Sequence, residues 1–254
     1  VSSGGGIYAY VPTNVILSET VWSRNSTGGE GGGLALYWPT LLQISDSEFT
    51  ANETAEGYAG GALHSYVATR VELQRNLFCS NEASYGGAVS DQWTSTSDVM
   101  TNNRFVENKA SIGGGVYRYS VYLGELINNS FVGNSGSSWG GAYYAGYSYA
   151  DFRNNAVVDT LAGNGIYAED TSSLGNTTVE HNGWWENQII DAGGYFYVSD
   201  GVDGNIVVDP GFVEWSSDGD CSNDDLRLRS DSALRDAGDA DILDLDGSPS
   251  DIGA

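Results

Sequence analysis

Tyrosine supplies 16 of the 254 residues, and much of it stands at fixed distances from recurring glycine pairs. Four positions after the first Gly of a pair come Tyr8, Tyr117, Tyr144, Tyr167 and Tyr197; six positions after it come Tyr10, Tyr37, Tyr66 and Tyr119. In extended backbone these even offsets share one face, opposite the apolar residues three positions after the same Gly. Turned outward, such a stripe stacks on sugars or forms a protein–protein contact. The plainer explanation is a β-rich surface using β-formers. Tyr10, Tyr37, Tyr66, Tyr117, Tyr119 and Tyr144 are the candidates for glycan or partner binding.

Oxygen ligands form the second set. The stretch "DADILDLDGSPSD" holds Asp239, Asp241, Asp244, Asp246 and Asp251, with Gly247 at a turn. Hard cations such as calcium take clusters of this kind, although the spacing is not that of an EF-hand loop. Asp239, Asp241, Asp244 and Asp246 are the candidate calcium ligands, and a solvated acidic loop is the alternative. Sequons at Asn25, Asn52, Asn128 and Asn176 permit N-glycosylation. Asn25 and Asn52 stand in a repeated column whose side chains are expected to point inward, out of reach of modification.

Catalytic constellations are harder to find. His64 and His181 fall in different registers, so neither a His pair nor a triad is visible. Two carboxyls about 6.5–9.5 Å apart serve an inverting glycosidase, but 34 acids with no motif single out no pair. Cys79 and Cys221 could pair in an oxidising compartment, yet 142 residues separate them. Cys79 beside Phe78 reads instead as a core filler.

The elements that position these residues are set by a repeat. Trp22, Phe49, Phe78, Phe105, Phe131 and Trp184 are each followed three positions later by Asn, with Val157/Thr160 as the one break. The marks lie 26 to 29 residues apart, which indicates stacked repeats. Phe212 reads as an eighth mark. Five positions before each mark lies Leu17, Ile44, Leu73, Met100, Leu126, Phe152, Val179 or Val207; two before it, five consecutive blocks place Asn76, Asn103, Asn129, Asn155 and Asn182. Glycine pairs beginning at Gly4, Gly31, Gly60, Gly86, Gly113, Gly140, Gly163 and Gly193 precede Ile7, Leu34, Leu63, Val89, Val116, Tyr143, Ile166 and Phe196 by three. Short runs rich in β-formers, with no three-and-four apolar spacing, make this a β solenoid rather than a helical one. Aligned Asn side chains can bond from coil to coil, and eight or nine coils are expected.

With the repeat in hand, GGA[ILV] followed by FxxN resembles the repeats of polymorphic outer-membrane adhesins and other secreted bacterial right-handed parallel β-helix proteins. The end of the chain is similar to the C-terminal segment of such proteins, in Asp209 to Phe212, Asp225 to Leu228, Ser232 to Gly238, Asp244 to Gly247 and Asp251 to Ala254. The resemblance implies an all-β, right-handed parallel β-helix over residues 1–205. Residues 206–254 are expected as an irregular acidic segment packing on the last coils within the same domain. It says little about activity, because β-helices host adhesins, lyases, glycosidases and fibre proteins alike.

Net charge is −24, and the chain from Asp200 carries half of it, with 15 acids against three arginines. That excludes nucleic acid, anionic membrane surfaces and acidic polysaccharides as partners, and no apolar run is long enough to insert in a membrane. Without an acid/base constellation, the expectation is a non-catalytic extracellular or cell-surface structural or adhesive protein. It would display the tyrosine face and bind glycans or associate with itself. Because the chain opens inside a repeat, end-to-end fibre growth is one expected form of self-association. The alternative is a carbohydrate-active enzyme on a neutral glycan.

Overall fold

The computed structural model describes residues 3–170, 177–188 and 190–254, and no helix occurs among them. Three parallel sheets wrap one solenoid of about seven turns, roughly 34 Å long at about 4.8 Å per coil. The first sheet has eight strands, from Ile7–Tyr10 to Ala192–Gly194; the second has seven, from Asn14–Ser18 to Thr178–Glu180; the third has eight, from Val21–Ser23 to Ile206–Val207. Each of the first seven coils contributes one short strand to each sheet, so the repeat read from the chain is one turn of the solenoid.

Strands this short need sharp corners between them, and the chain supplies left-handed backbone there. Val11, Trp38, Val67, Trp93, Ser120 and Tyr147 close successive strands of the first sheet, all with positive φ. The glycine pairs do two different jobs. Gly60 has φ +72°, and a Cβ there would lie 2.3 Å from the Leu63 carbonyl oxygen. Gly61 needs closeness instead, since its Cβ would meet the Gly87 carbonyl of the next coil at 2.1 Å.

Inside, equivalent residues stack in register. Trp22, Phe49, Phe78, Phe105 and Phe131 form a column of near-parallel rings with centroids 4.7 to 6.0 Å apart, an arrangement that adds offset stacking to burial. Leu17, Ile44, Leu73, Met100, Leu126, Phe152 and Val179 form the second column. Two asparagine ladders flank the rings. Asn103 donates from Nδ2 to Asn129 Oδ1 at 3.1 Å and to the Leu73 carbonyl at 2.8 Å, while its Oδ1 accepts from the Asn76 side chain at 3.0 Å. Asn52, Asn81, Asn108 and Asn134 repeat the pattern at the next corner. Each amide satisfies the corner backbone, whose polar groups would otherwise be buried unpaired.

The far end departs from the expected register. About seven turns are built, against the eight or nine expected: beyond the seventh the chain adds a strand only to the first and third sheets, and this last coil is short. Asn205 takes the ladder position after Asn182, only 23 residues on, and accepts its Nδ2 at 3.2 Å. Val207 therefore pairs with Trp184 in the ring column, and Phe212 is not an eighth mark. Ala192, not Phe196, follows Ile166 in the first sheet. Phe196 caps the core from the end, 6.3 Å from the Tyr143 ring.

Beyond Val207 the chain turns back over the outer face of the third sheet. The hairpin Phe212–Glu214 with Asp225–Leu228, together with Leu234 and Ile252, buries a second cluster against Val106, Val132, Ala156 and Val158. The segment reaches the third coil, where Cys79 and Cys221 form a disulfide with Cα atoms 6.2 Å apart. Cys79 is thus not a core filler: Phe78 points inward, so its neighbour points out toward the returning segment.

Candidate functional site

The outer face of the first sheet carries the tyrosines in two columns. Tyr10, Tyr37 and Tyr66 pair in sequence across three coils, followed by Gln92 and Tyr119. Tyr117, Tyr144 and Tyr167 pair across three later coils. Outward orientation follows from strand alternation, since Leu34, Leu63, Val89 and Val116 on the same strands are fully buried.

The rings form two groups. Near the start of the solenoid, Tyr8 and Tyr37 lie 5.6 Å apart, Tyr37 and Tyr66 5.7 Å, and Tyr10 and Trp38 5.1 Å. Tyr10 is 62% exposed and Trp38 40%, so both present open ring surface. Further along, Tyr117 stacks on Tyr144 at 5.1 Å and Tyr144 on Tyr167 at 5.9 Å, while Tyr147 meets Tyr119 edge-on at 5.4 Å. Tyr144 is only 3% exposed. Sandwiched between two rings, it supports the face and cannot itself stack on a ligand. Tyr37, Tyr66, Tyr117 and Tyr119 are half-buried.

Trp38, Trp93 and Tyr147 belong to this face although their spacing did not single them out. They occupy the left-handed corner one residue beyond the second tyrosine column. Trp93 packs against Tyr119 at 6.0 Å and Trp38 against Tyr66 at 5.7 Å. Their mark in the sequence is an aromatic seven positions after the first Gly in three coils.

Electrostatics keep the phenols of this face in their neutral form. Burial and then the nearby Glu169 carboxylate raise the Tyr117 hydroxyl; burial and its hydrogen bond with Glu169 raise Tyr144; burial raises Tyr37. All three stay protonated; Tyr37 and Tyr117 reach the surface, while Tyr144 is engaged with Glu169. His64 lies beneath Tyr37 and Tyr66, and burial lowers it to about 4. It is neutral at ordinary pH.

The acidic candidates are dispersed. Asp239 pairs with Arg153 at 2.7 Å, Asp246 accepts from Ser248 at 2.7 Å, and Asp241 is exposed. Asp244 instead meets Asp236 and Asp251, with one oxygen of each within 4.8 Å of the others. Burial and then Asp251 raise the Asp244 carboxyl. The four residues read from the chain as calcium ligands are not gathered into one site.

Asn25 and Asn52 lie in the ladder, where Asn25 Nδ2 donates to Asn52 Oδ1 at 2.8 Å and Asn52 Nδ2 to Asn81 Oδ1 at 2.9 Å. Asn128 sits at a left-handed corner, and the Ser130 of its sequon is fully buried. Asn176 lies outside the described residues. A buried ionic cluster of Arg118, Asp91 and Asp98 is enclosed within the solenoid, where no substrate could reach it.

No helix of the described residues is long and apolar enough to cross a membrane. No family model matches the chain, and neither curated proteins nor solved structures give a match.

Proposed function

We propose that the chain is a non-catalytic extracellular adhesive or structural protein that holds neutral glycans along its tyrosine face. The observation that carries this reading is the in-register array of partly open rings from Tyr10 and Trp38 through Tyr66 and Trp93 to Tyr119 and Tyr147. A coil spacing of about 4.8 Å is comparable with the length of one pyranose in an extended chain. A glycan running parallel to the axis would therefore meet a new ring at each coil, and the protonated hydroxyls beside the rings would bond its hydroxyls. The net charge of −24 favours a neutral glycan over an acidic one.

Placement outside the cell is supported by the disulfide, since such bonds persist in oxidising compartments and are rare elsewhere. The chemistry of the face supports binding rather than turnover. Its rings and phenols lack an acid/base pair poised on opposite sides of a bond. The resemblance to adhesin repeats is consistent with this reading.

A glycan array probed with the purified chain, together with an assay for new reducing ends, tests the proposal. Binding without release is expected, and it should be lost in the Tyr10→Ala/Trp38→Ala double variant. Reducing-end release from a bound glycan would replace the proposal with a carbohydrate-active enzyme. Absence of glycan binding would end it.

A further inference from the structure

A separate feature lies on the covered outer face of the third sheet. Where the returning segment crosses the last coils, it leaves a cleft of about 420 Å³, within the usual range for a small-molecule site. Trp185 reaches it from the third sheet, and Phe212 and Trp215 reach it from the hairpin. Asp159, Glu186, Asp209 and Glu214 surround the rings.

The aromatic wall is held in place. Trp215 donates from Nε1 to Asp159 Oδ2 at 3.3 Å. Its ring edge lies over Gly133, where a Cβ would come within 2.8 Å of Trp215 Cη2. Any larger residue at Gly133 would push the indole away, so the corner is open for it. Asp209 is partly spent, accepting the Gly211 amide at 2.8 Å. Glu186 and Glu214 are exposed at the mouth. Arg229 also lines the cleft, but its Nη1 donates to the Phe212 carbonyl at 3.3 Å and its Nε faces Asp231 at 3.6 Å. It offsets one of the four carboxylates around the cleft and leaves the lining net acidic.

Four carboxylates against one guanidinium disfavour anions, and indole faces are attractive to cations. A purely apolar ligand would have to desolvate the carboxylates without replacing their hydrogen bonds. We infer that the cleft between the third sheet and the C-terminal hairpin binds a small organic ammonium ion, the cation lying against Trp185 and Trp215 with Glu186 and Glu214 as counter-charges. Amino sugars and quaternary ammonium headgroups share this chemistry. This site is independent of the tyrosine face, since it lies on another sheet and uses none of the same residues.

Isothermal titration of the whole chain with glucosamine, choline chloride and N-acetylglucosamine tests the inference. Glucosamine or choline should bind, and N-acetylglucosamine should not, because acetylation removes the charge and keeps the ring. Glucosamine alone would identify an amino-sugar site, and choline alone a quaternary-ammonium site. Glu186→Gln/Glu214→Gln alters only exposed side chains and should weaken binding about tenfold, equivalent to about 1.4 kcal/mol. Added salt should weaken it further. The Tyr10→Ala/Trp38→Ala variant should bind the ammonium compounds as the parent does, which separates this site from the glycan face. Equal binding of N-acetylglucosamine by the Tyr10→Ala/Trp38→Ala variant, in which the glycan face is disabled, no effect of the double Gln variant, or no binding of either cation would overturn the inference.

Discussion

Arg118 Nε lies 2.7 Å from Asp98 Oδ2 in the interior of the solenoid, with both side chains fully buried. Arg118 enters from the first sheet and Asp98 from the second, so the pair ties two sheets across the core. The guanidinium also lies 5.8 Å from the Tyr143 ring centroid. Gly124 makes the room: a Cβ there would stand 2.2 Å from Arg118 Nη1. A buried charge left without its partner costs far more than the pair gains. Asp98→Ala is therefore expected to cost about 3–5 kcal/mol, read from urea unfolding. Adding Arg118→Met to Asp98→Ala should restore much of the loss. A double variant no more stable than the single one would show that the partnerless charge is not what destabilises.

Asp91 is the third member of that cluster, and it gives the fold a pH dependence. It accepts the Thr94 hydroxyl at 2.7 Å and faces Asp98, Arg118 and Tyr143. Burial first, and the Asp98 carboxylate second, raise Asp91 well above the ordinary carboxylate range, while Thr94 and Arg118 oppose the rise. A carboxyl raised in the folded state contributes stability that is full below the unfolded value of about 3.9. The contribution falls as pH climbs through the folded value, because the unfolded chain releases the proton first. The difference in stability between the parent and Asp91→Asn should therefore shift against the parent as pH rises from about 4. Taking the difference removes the repulsion common to both chains. A difference that does not vary with pH would place an ionised Asp91 in the core.

How much of this could be read from the residues depends on whether a position is repeated. Ring and Asn columns were legible because burial and bonding between coils impose the same side chain at every turn. The left-handed corners impose only a backbone conformation, so Val11, Trp38, Ser120 and Tyr147 share no side-chain type, and the exposed aromatics among them were missed. The path of the C-terminal segment was written less openly. In the second coil Glu48 and Thr50 flank the ring, whereas Leu77 and Cys79, then Val106 and Val132, flank the later rings, and Val158 follows Val157 in the same column. Apolar outward positions from the third coil onward mark where a cover must lie. Cys79 is among them, and read with that column it points outward rather than into the core. The calcium candidates could not be sorted by spacing, because Arg153 takes Asp239 from 86 residues away.

The asparagine ladder carries its own prediction. Asn103 is fully buried and bonds Asn76, Asn129 and the Leu73 carbonyl. Replacement by Ala leaves an amide and a carbonyl in the preceding coil, and an Oδ1 in the following one, without those partners. A cost of about 1–3 kcal/mol per unsatisfied group makes Asn103→Ala a clearly measurable loss in thermal and urea denaturation. Asn103→Asp should also destabilise, because it keeps the acceptor and loses the donor. Unchanged stability in both variants would mean that the ladder contributes nothing beyond space filling.

The disulfide should hold the C-terminal cover in place rather than the solenoid itself. Cys79 and Cys221 close a span of 142 residues, and removal of a native bond of this kind typically costs about 2–5 kcal/mol. The asparagine ladders and stacked rings do not involve Cys221, so the coils should survive its loss. The apolar strip formed by Val106, Val132 and Val158 lies under the returning segment and would be uncovered if that segment lifts. Cys221→Ser is therefore expected to lower the melting temperature, retain β circular dichroism below it, and increase binding of an apolar dye. Hydrogen exchange should rise first in residues 212–228 and only later in the third sheet. Uniform exchange across the chain would instead make cover and solenoid one cooperative unit, with the disulfide stabilising both together.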